Sequence, residues 1–248
     1  MKKILTLALV AFVSLAHAQH KETRKISKVS GISVSSGIKA KFIKSSRNEV
    51  VVDVSRADLL PKIETNVKGG TLVVRVKPNS HIQNSGTLNV TVYSNSAINS
   101  ISLSSAGSLE ILEPIDAINF TANLSSAGKL KAGRIAATSA TIDLSSSGKM
   151  TGELKAEKVS INSSSSGEVT LVGKSKTLNV DMSSSGRVNL ENFSTGSLTV
   201  NGSSGGKLSV AVSNAITANV SSGARVVYSG NPSNKNVNHS SGGSVSSR

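Results

Sequence analysis

The sequence predicts an all-β fold: a parallel β-helix (β-solenoid) of about eight ~20-residue coils with an N-terminal β-strand capping region. Three observations predict it. A short serine-glycine motif recurs at near-constant spacing, and the aligned copies expose alternating apolar and polar columns. The composition is 37% hydrophobic but only 2% aromatic, so small aliphatics must be buried in some regular way.

The motif occurs as Leu103-Ser-Ser-Ala-Gly107, Leu124-Ser-Ser-Ala-Gly128, Leu144-Ser-Ser-Ser-Gly148, Ser163-Ser-Ser-Ser-Gly167 and Met182-Ser-Ser-Ser-Gly186. Weaker copies end at Gly206, Ala224 and Gly243. Successive anchors lie 21, 20, 19, 19, 20, 18 and 19 residues apart, a solenoid period in which each unit stacks on its neighbours. Six residues before the anchor stand Ile101, Ala122, Ile142, Ile161, Val180, Val200, Ala218 and Val237. Two after it stand Leu109, Leu130, Met150, Val169, Val188, Leu208, Val226 and Val245. Both columns are wholly apolar, and the column four before the anchor, which includes Leu124 and Leu144, is mostly so. The intervening column five before the anchor reads Ser102, Asn123, Asp143, Asn162, Asp181, Asn201, Asn219 and Asn238. Alternation with period two makes these strands, with the apolar columns inward. The anchor glycine is expected to supply the positive φ of the corner, helped by serines that bond local backbone. Ala224 departs from that pattern.

The chain divides into residues 1–18, 19–97 and 98–248. The first segment reads as a signal peptide: Lys2 and Lys3, an apolar run from Ile4 to Ala16, and Ala16-His17-Ala18 before Gln19. That run is too short to span a bilayer, so no transmembrane anchor is expected in a mature chain beginning near Gln19. No cysteine is present, which excludes disulfides and a lipidated cysteine. Residues 19–97 carry strand-like segments at Ile38–Ile43, Val50–Val54, Thr71–Val76 and Leu88–Val92, as atypical coils or hairpins that cap the open edge of the stack. Residues 98–248 form the serine- and glycine-rich repeats.

Net charge is +14, or +12 without Lys2 and Lys3, which favours anionic polymers or surfaces as partners. Specific nucleic-acid binding is disfavoured because aromatic platforms are lacking. The residue after the corner forms the column Ser108, Lys129, Lys149, Glu168, Arg187, Lys207, Arg225 and Ser244. Lys129, Lys149, Arg187, Lys207 and Arg225 are the candidate ligand-binding residues, a stripe able to track an acidic polysaccharide or another surface polyanion. The competing reading is a solvated face that keeps the sheet soluble. The Asn/Asp column offers oxygens to a hard cation, but stacked amides form hydrogen-bonded ladders and calcium needs more carboxylates, so no metal site is assigned. Serine corners are glycan contacts or simply turn chemistry.

No catalytic residue and no cofactor is assigned. The segment after Gln19 holds only His20, His81 and His239, and abundance of serine does not supply a positioned base. The remaining enzymatic alternative is a pectin-lyase-like polysaccharide-processing fold, supported by analogy alone, and a structural envelope scaffold without specific ligand is the third.

At Gly31-Ile-Ser-Val-Ser-Ser-Gly37, the strand Ile38–Ile43, Ile63-Glu-Thr-Asn-Val-Lys-Gly-Gly-Thr-Leu-Val-Val74 and the Ser-Gly coils, the chain resembles the head GIN domain family of auto-transporter adhesins. The resemblance covers nearly all of the chain after the signal. It implies a β-helical fold and an adhesive role, and carries no catalytic residues across. The expected function is therefore non-catalytic binding in the periplasm, at the outer surface or outside the cell.

Overall fold

The chain is described by a computed structural model over residues 20–248. The signal segment, residues 1–18, lies outside the described residues. The fold is 66% strand and 3% helix, a β-solenoid of about 7 turns.

Each coil runs strand, serine corner, strand. The first coil is β2 (Gly31–Val34) and β3 (Lys39–Lys44); the next is β8 (Ser100–Leu103) and β9 (Ser108–Ile111). From there the strands lengthen and wrap round the stack as β10 (Ile115–Leu124), β11 (Lys129–Leu144), β12 (Lys149–Ser163), β13 (Glu168–Met182), β14 (Arg187–Gly202) and β15 (Lys207–Val220). The last two coils end in β16 (Arg225–Ser229), β17 (Asn234–His239) and β18 (Ser244–Ser247). All neighbours from β8 onward pair in parallel, with motif residues in register: Leu124 faces Leu103 and Leu144.

The wrapping shows in the burial pattern. Along β11 the buried residues are Leu130, Ala132, Ile135, Ala140, Ile142 and Leu144. The period of two breaks between Ala132 and Ile135, where the pairing with β12 also shifts register, and again before Ala140. A two-residue step keeps one face inward, so each odd step turns the strand while restoring its apolar side to the core. The columns six before and two after the anchor are buried from Ile101 to Ala218 and from Leu109 to Val226. Each aliphatic contributes about 1.5–3 kcal/mol on burial, so the stack holds without aromatics along most of its length. Ser163 interrupts the column containing Leu124 and Leu144. Its buried hydroxyl donates to the Gly167 carbonyl at 2.8 Å.

The corner is built differently from expectation. The left-handed residues are the two before the anchor: Ser126 (φ 45°) and Ala127 (φ 62°), Ser146 (46°) and Ser147 (64°), and their counterparts in every other coil. The amide of Gly148 donates to the Ser145 carbonyl at 2.8 Å, closing a four-residue turn with φ positive at both central positions. This is type I′ geometry, which matches the twist of the flanking strands. The Ala127 amide donates to the Ser146 carbonyl of the next coil at 2.9 Å, so the turns form a ladder of their own. Left-handed Ser and Ala cost roughly 1–2 kcal/mol each, offset by these bonds. The anchor glycines of the repeats do not have positive φ. They are glycine because the chain of the preceding coil passes against them: a Cβ on Gly148 would lie 2.8 Å from the Leu124 carbonyl carbon and 3.1 Å from the Leu124 Cβ. Ala224 is the exception because the preceding residue in its packing column is Gly202. A Cβ added there would meet the Ala224 methyl at 3.4 Å, so the methyl occupies space left by the missing side chain.

The N-terminal end converts parallel pairing to antiparallel. On the side before the corner, β6 (Thr71–Val76) lies parallel to β2 and forms a hairpin with β5 (Ile63–Lys68). On the side after it, β7 (Leu88–Ser94) lies parallel to β3, and β4 (Glu49–Val54) runs antiparallel between β7 and β1 (His20–Lys25). A short 3-10 turn, Ala57–Lys62, bridges β1 and β4 to β5 and buries Leu59. Arg24 fastens the seam, donating to the Leu60 carbonyl at 2.8 Å and the Ile63 carbonyl at 2.6 Å. The cap thus contains a coil, one hairpin and two antiparallel pairings between strands distant in the chain, and its two sides are stitched at the end by one guanidinium.

Candidate binding surface

Three outward columns flank the serine corner. The column after it is assembled as expected: Lys129, Lys149, Glu168, Arg187, Lys207, Arg225 and Ser244 stand in direct register on adjacent strands. Their neighbours Leu130, Met150, Val169, Val188, Leu208 and Val226 are buried, and the pleat therefore turns the charged residues to solvent. Glu168, which breaks the stripe in sequence, accepts from Lys149 at 2.6 Å. Among the described residues, Lys129, Arg187, Lys207 and Arg225 have no carboxylate within salt-bridge distance. Arg187, Lys207 and Arg225 occupy three successive rungs ~4.8 Å apart. The three lie within about one Debye length (~10 Å) at 0.1 M salt, so their potentials add.

Before the corner, the Asn/Asp column forms a side-chain ladder. Asn201 donates to Asp181 at 2.8 Å, Asn219 to Asn201 at 3.2 Å and Asn238 to Asn219 at 3.3 Å, while Asn162 donates to Asp143. The two carboxylates thus accept amides, and no group of three or more His, Cys, Asp or Glu converges among the described residues. Shallow grooves of about 400 and 300 Å³ run beside this ladder and share Asn162 and Ser164.

A third column was not read from the sequence. Two positions further back, Ser100, Thr121, Thr141, Ser160, Asn179, Thr199, Thr217 and Asn236 stand in register, giving a second row of small hydrogen-bonding groups on the same side. The same alignment contained this signal. One edge of the solenoid is therefore cationic, and the surface across the corner is nearly neutral and polar.

After β3, the outward rows continue onto the cap. Lys39 faces Ser108, which faces Lys129; Lys41 faces Glu110, which faces Lys131. Glu110 accepts from Lys131 at 2.7 Å and lies 3.5 Å from Lys41. The Lys131 hydrogen bond and the two ammonium charges hold its carboxyl below the ordinary range, so it remains an anion at neutral pH. A groove of about 720 Å³ crosses these strands and extends over β7, β4 and β1.

Fold and surface together define a capped β-solenoid that presents repeated polar columns. The chain belongs to the family described as "Putative auto-transporter adhesin, head GIN domain", whose model matches residues 29–232. Solved structures share the fold. A "putative adhesin" from Parabacteroides merdae is 16% identical with a TM-score of 0.82, over 94% of this chain and 97% of that one. A "putative adhesin" from Parabacteroides distasonis is 17% identical with a TM-score of 0.80, over 94% and 98%. A third structure from the latter organism, described as a "Putative lipid binding protein", is 19% identical with a TM-score of 0.74 over the same shares. No curated protein matches the chain.

Proposed function

We propose that this protein is an exported, non-catalytic adhesin that holds an acidic polysaccharide or another surface polyanion along the column Lys129, Lys149, Arg187, Lys207 and Arg225. The observation that carries the reading is the in-register array of cations, four of them without an acidic partner among the described residues. Membership of an adhesin family supports the adhesive role. A periodic array binds a periodic ligand by many weak contacts, so avidity replaces a single pocket. Neutralising one cation is expected to weaken attachment a few-fold, and neutralising all five to abolish it and flatten its salt dependence. All five side chains are exposed, so the variant should melt like the parent. Binding to immobilised acidic glycans and to cells at two salt concentrations tests this. Equal binding by the fivefold variant reduces the column to a solvated face.

Export is the companion expectation. Material recovered outside the cytoplasm of the native host should begin at or next to Gln19 by N-terminal sequencing, with no lipid attached. Full-length protein retained in the cytoplasm would remove the surface role.

A further inference from the structure

The cation column does not end at Lys129. Beyond it the row passes to Ser108 on β9 and then to Lys39 on β3, the residue after the Val34-Ser-Ser-Gly-Ile38 corner, which lies far outside the regular spacing of the other copies. Two strand spacings, ~10 Å, separate the backbones of Lys39 and Lys129, and the serine stands midway. Lysine side chains are long enough to lean over that distance from both sides. The row beneath has the same cationic flanks, Lys41 and Lys131, but a glutamate in the middle, and Glu110 engages both. One row is thus a closed ion triad. The other is its open counterpart, with a hydroxyl where the carboxylate would be and two ammonium groups that have no acidic partner among the described residues.

That open row lines the 720 Å³ groove, a size within the ~300–1,000 Å³ of small-ligand sites. Toward the cap, the same groove offers Asn89 in the Lys39 row, and Val51 and Thr91 in the Lys41 row, while the Asp53 carboxylate beside Asn89 is occupied by Lys21 at 3.6 Å. The result is an anion-seeking end, an amide and a hydroxyl able to bond sugar hydroxyls, and a patch of low polarity, all in one concavity. We infer that Lys39, Ser108 and Lys129 form a discrete oxyanion site, which seats a sulfate, phosphate or carboxylate group carried by a sugar, with the sugar hydroxyls directed to Asn89 and Thr91. The inference rests on the polyanion reading for the remainder of the ligand: a charged terminus or branch sits in the groove while the chain continues down the column. Two ammonium donors and a serine hydroxyl match the several acceptor oxygens of such a group.

The test separates the groove from the column. The full mature chain is titrated by calorimetry with inorganic sulfate, glucose 6-sulfate, glucose 6-phosphate and glucuronate, alongside Lys39→Met, Ser108→Ala and the triple variant Arg187→Gln, Lys207→Gln, Arg225→Gln. The expected result is saturable binding of the acidic sugars, tighter than inorganic sulfate, weakened tenfold or more by Lys39→Met and several-fold by Ser108→Ala, and unchanged in the triple variant. The ranking among the three sugars identifies the oxyanion. Lys39 is exposed, and an unaltered melting curve confirms that its variant is folded. Acidic-sugar binding that survives Lys39→Met, or no saturable binding, overturns the site even if polymer attachment still depends on the column. Sugar binding that persists in a protein indifferent to acidic polymers keeps the groove and removes the polyanion reading. Vesicles of phosphatidylglycerol bound in preference to every acidic sugar, with the same dependence on Lys39, overturn the sugar assignment.

Discussion

Gly148→Val is expected to prevent folding, and Gly148→Ala to cost about 3 kcal/mol or more. The added Cβ would sit 2.8 Å from the Leu124 carbonyl carbon and nearer still to its oxygen. That carbonyl cannot withdraw without loss, because it accepts the Ser145 amide at 2.9 Å in the rung that joins the two coils. Movement of the glycine itself is opposed by its own bond to Ser145 and by the bond from the Lys149 amide to the Gly128 carbonyl. The natural control is Ala224, which tolerates a methyl because Gly202 lies beneath it. Ala224→Gly should therefore cost only about 1 kcal/mol, the sum of a lost methyl contact and added backbone freedom. Urea denaturation of the three variants decides the matter. Midpoints for Gly148→Ala and the parent that coincide would mean the coils are not in contact at the anchor.

Leu144→Asp carries the other large effect. Leu144 is 3% exposed, between Leu124 and Ser163 in a parallel ladder. The substitution removes an aliphatic from a packed interior and leaves a carboxylate whose neighbouring hydroxyl, Ser163, already donates to the Gly167 carbonyl, so a loss of about 4 kcal/mol or more is expected. Five residues later, Lys149→Ser should change stability by no more than about 0.5 kcal/mol, since its ion pair with Glu168 is solvent-exposed. Thermal melts of the two variants side by side check the facing of the strands on both sides of the corner. A one-residue slip in register would exchange the two outcomes.

The inward columns were legible because the repeat samples each position eight times, so a single Ser163 or Gly202 does not hide the pattern. The same redundancy revealed the cation column. Corner chemistry was not legible in the same way. Positive φ and close approach both select glycine, and the motif alone does not say which of them acts at Gly148. The φ values place the left-handed strain on Ser146 and Ser147 instead, residue types that do not announce a type I′ turn as Asn-Gly would. Nothing in the structure explains serine over asparagine at these positions. Pairing in the cap was hidden for another reason. Val50, Val52 and Val54 alternate equally well in a parallel or an antiparallel ladder, and only the tertiary arrangement chooses. The Lys39, Ser108 and Lys129 row crosses the long cap segment that separates the Val34-Ser-Ser-Gly37 corner from the next one, so the regular spacing of the repeats does not reveal it.

The corner ladder has a bearing on length. Each coil bonds to the coil before it and the coil after it through the same carbonyls and amides, from Ser104 to Gly243. Excision of Lys149–Gly167 would leave Gly148 followed by Glu168, and every rung would still find an equivalent partner one step along. Insertion of a duplicate would work equally well. Such an event moves the far end of the molecule by one strand spacing, ~4.8 Å, without creating a new surface or disturbing the cap. The protein is in this sense a ruler with removable divisions, and its length can be reset by whole coils while its chemistry is kept.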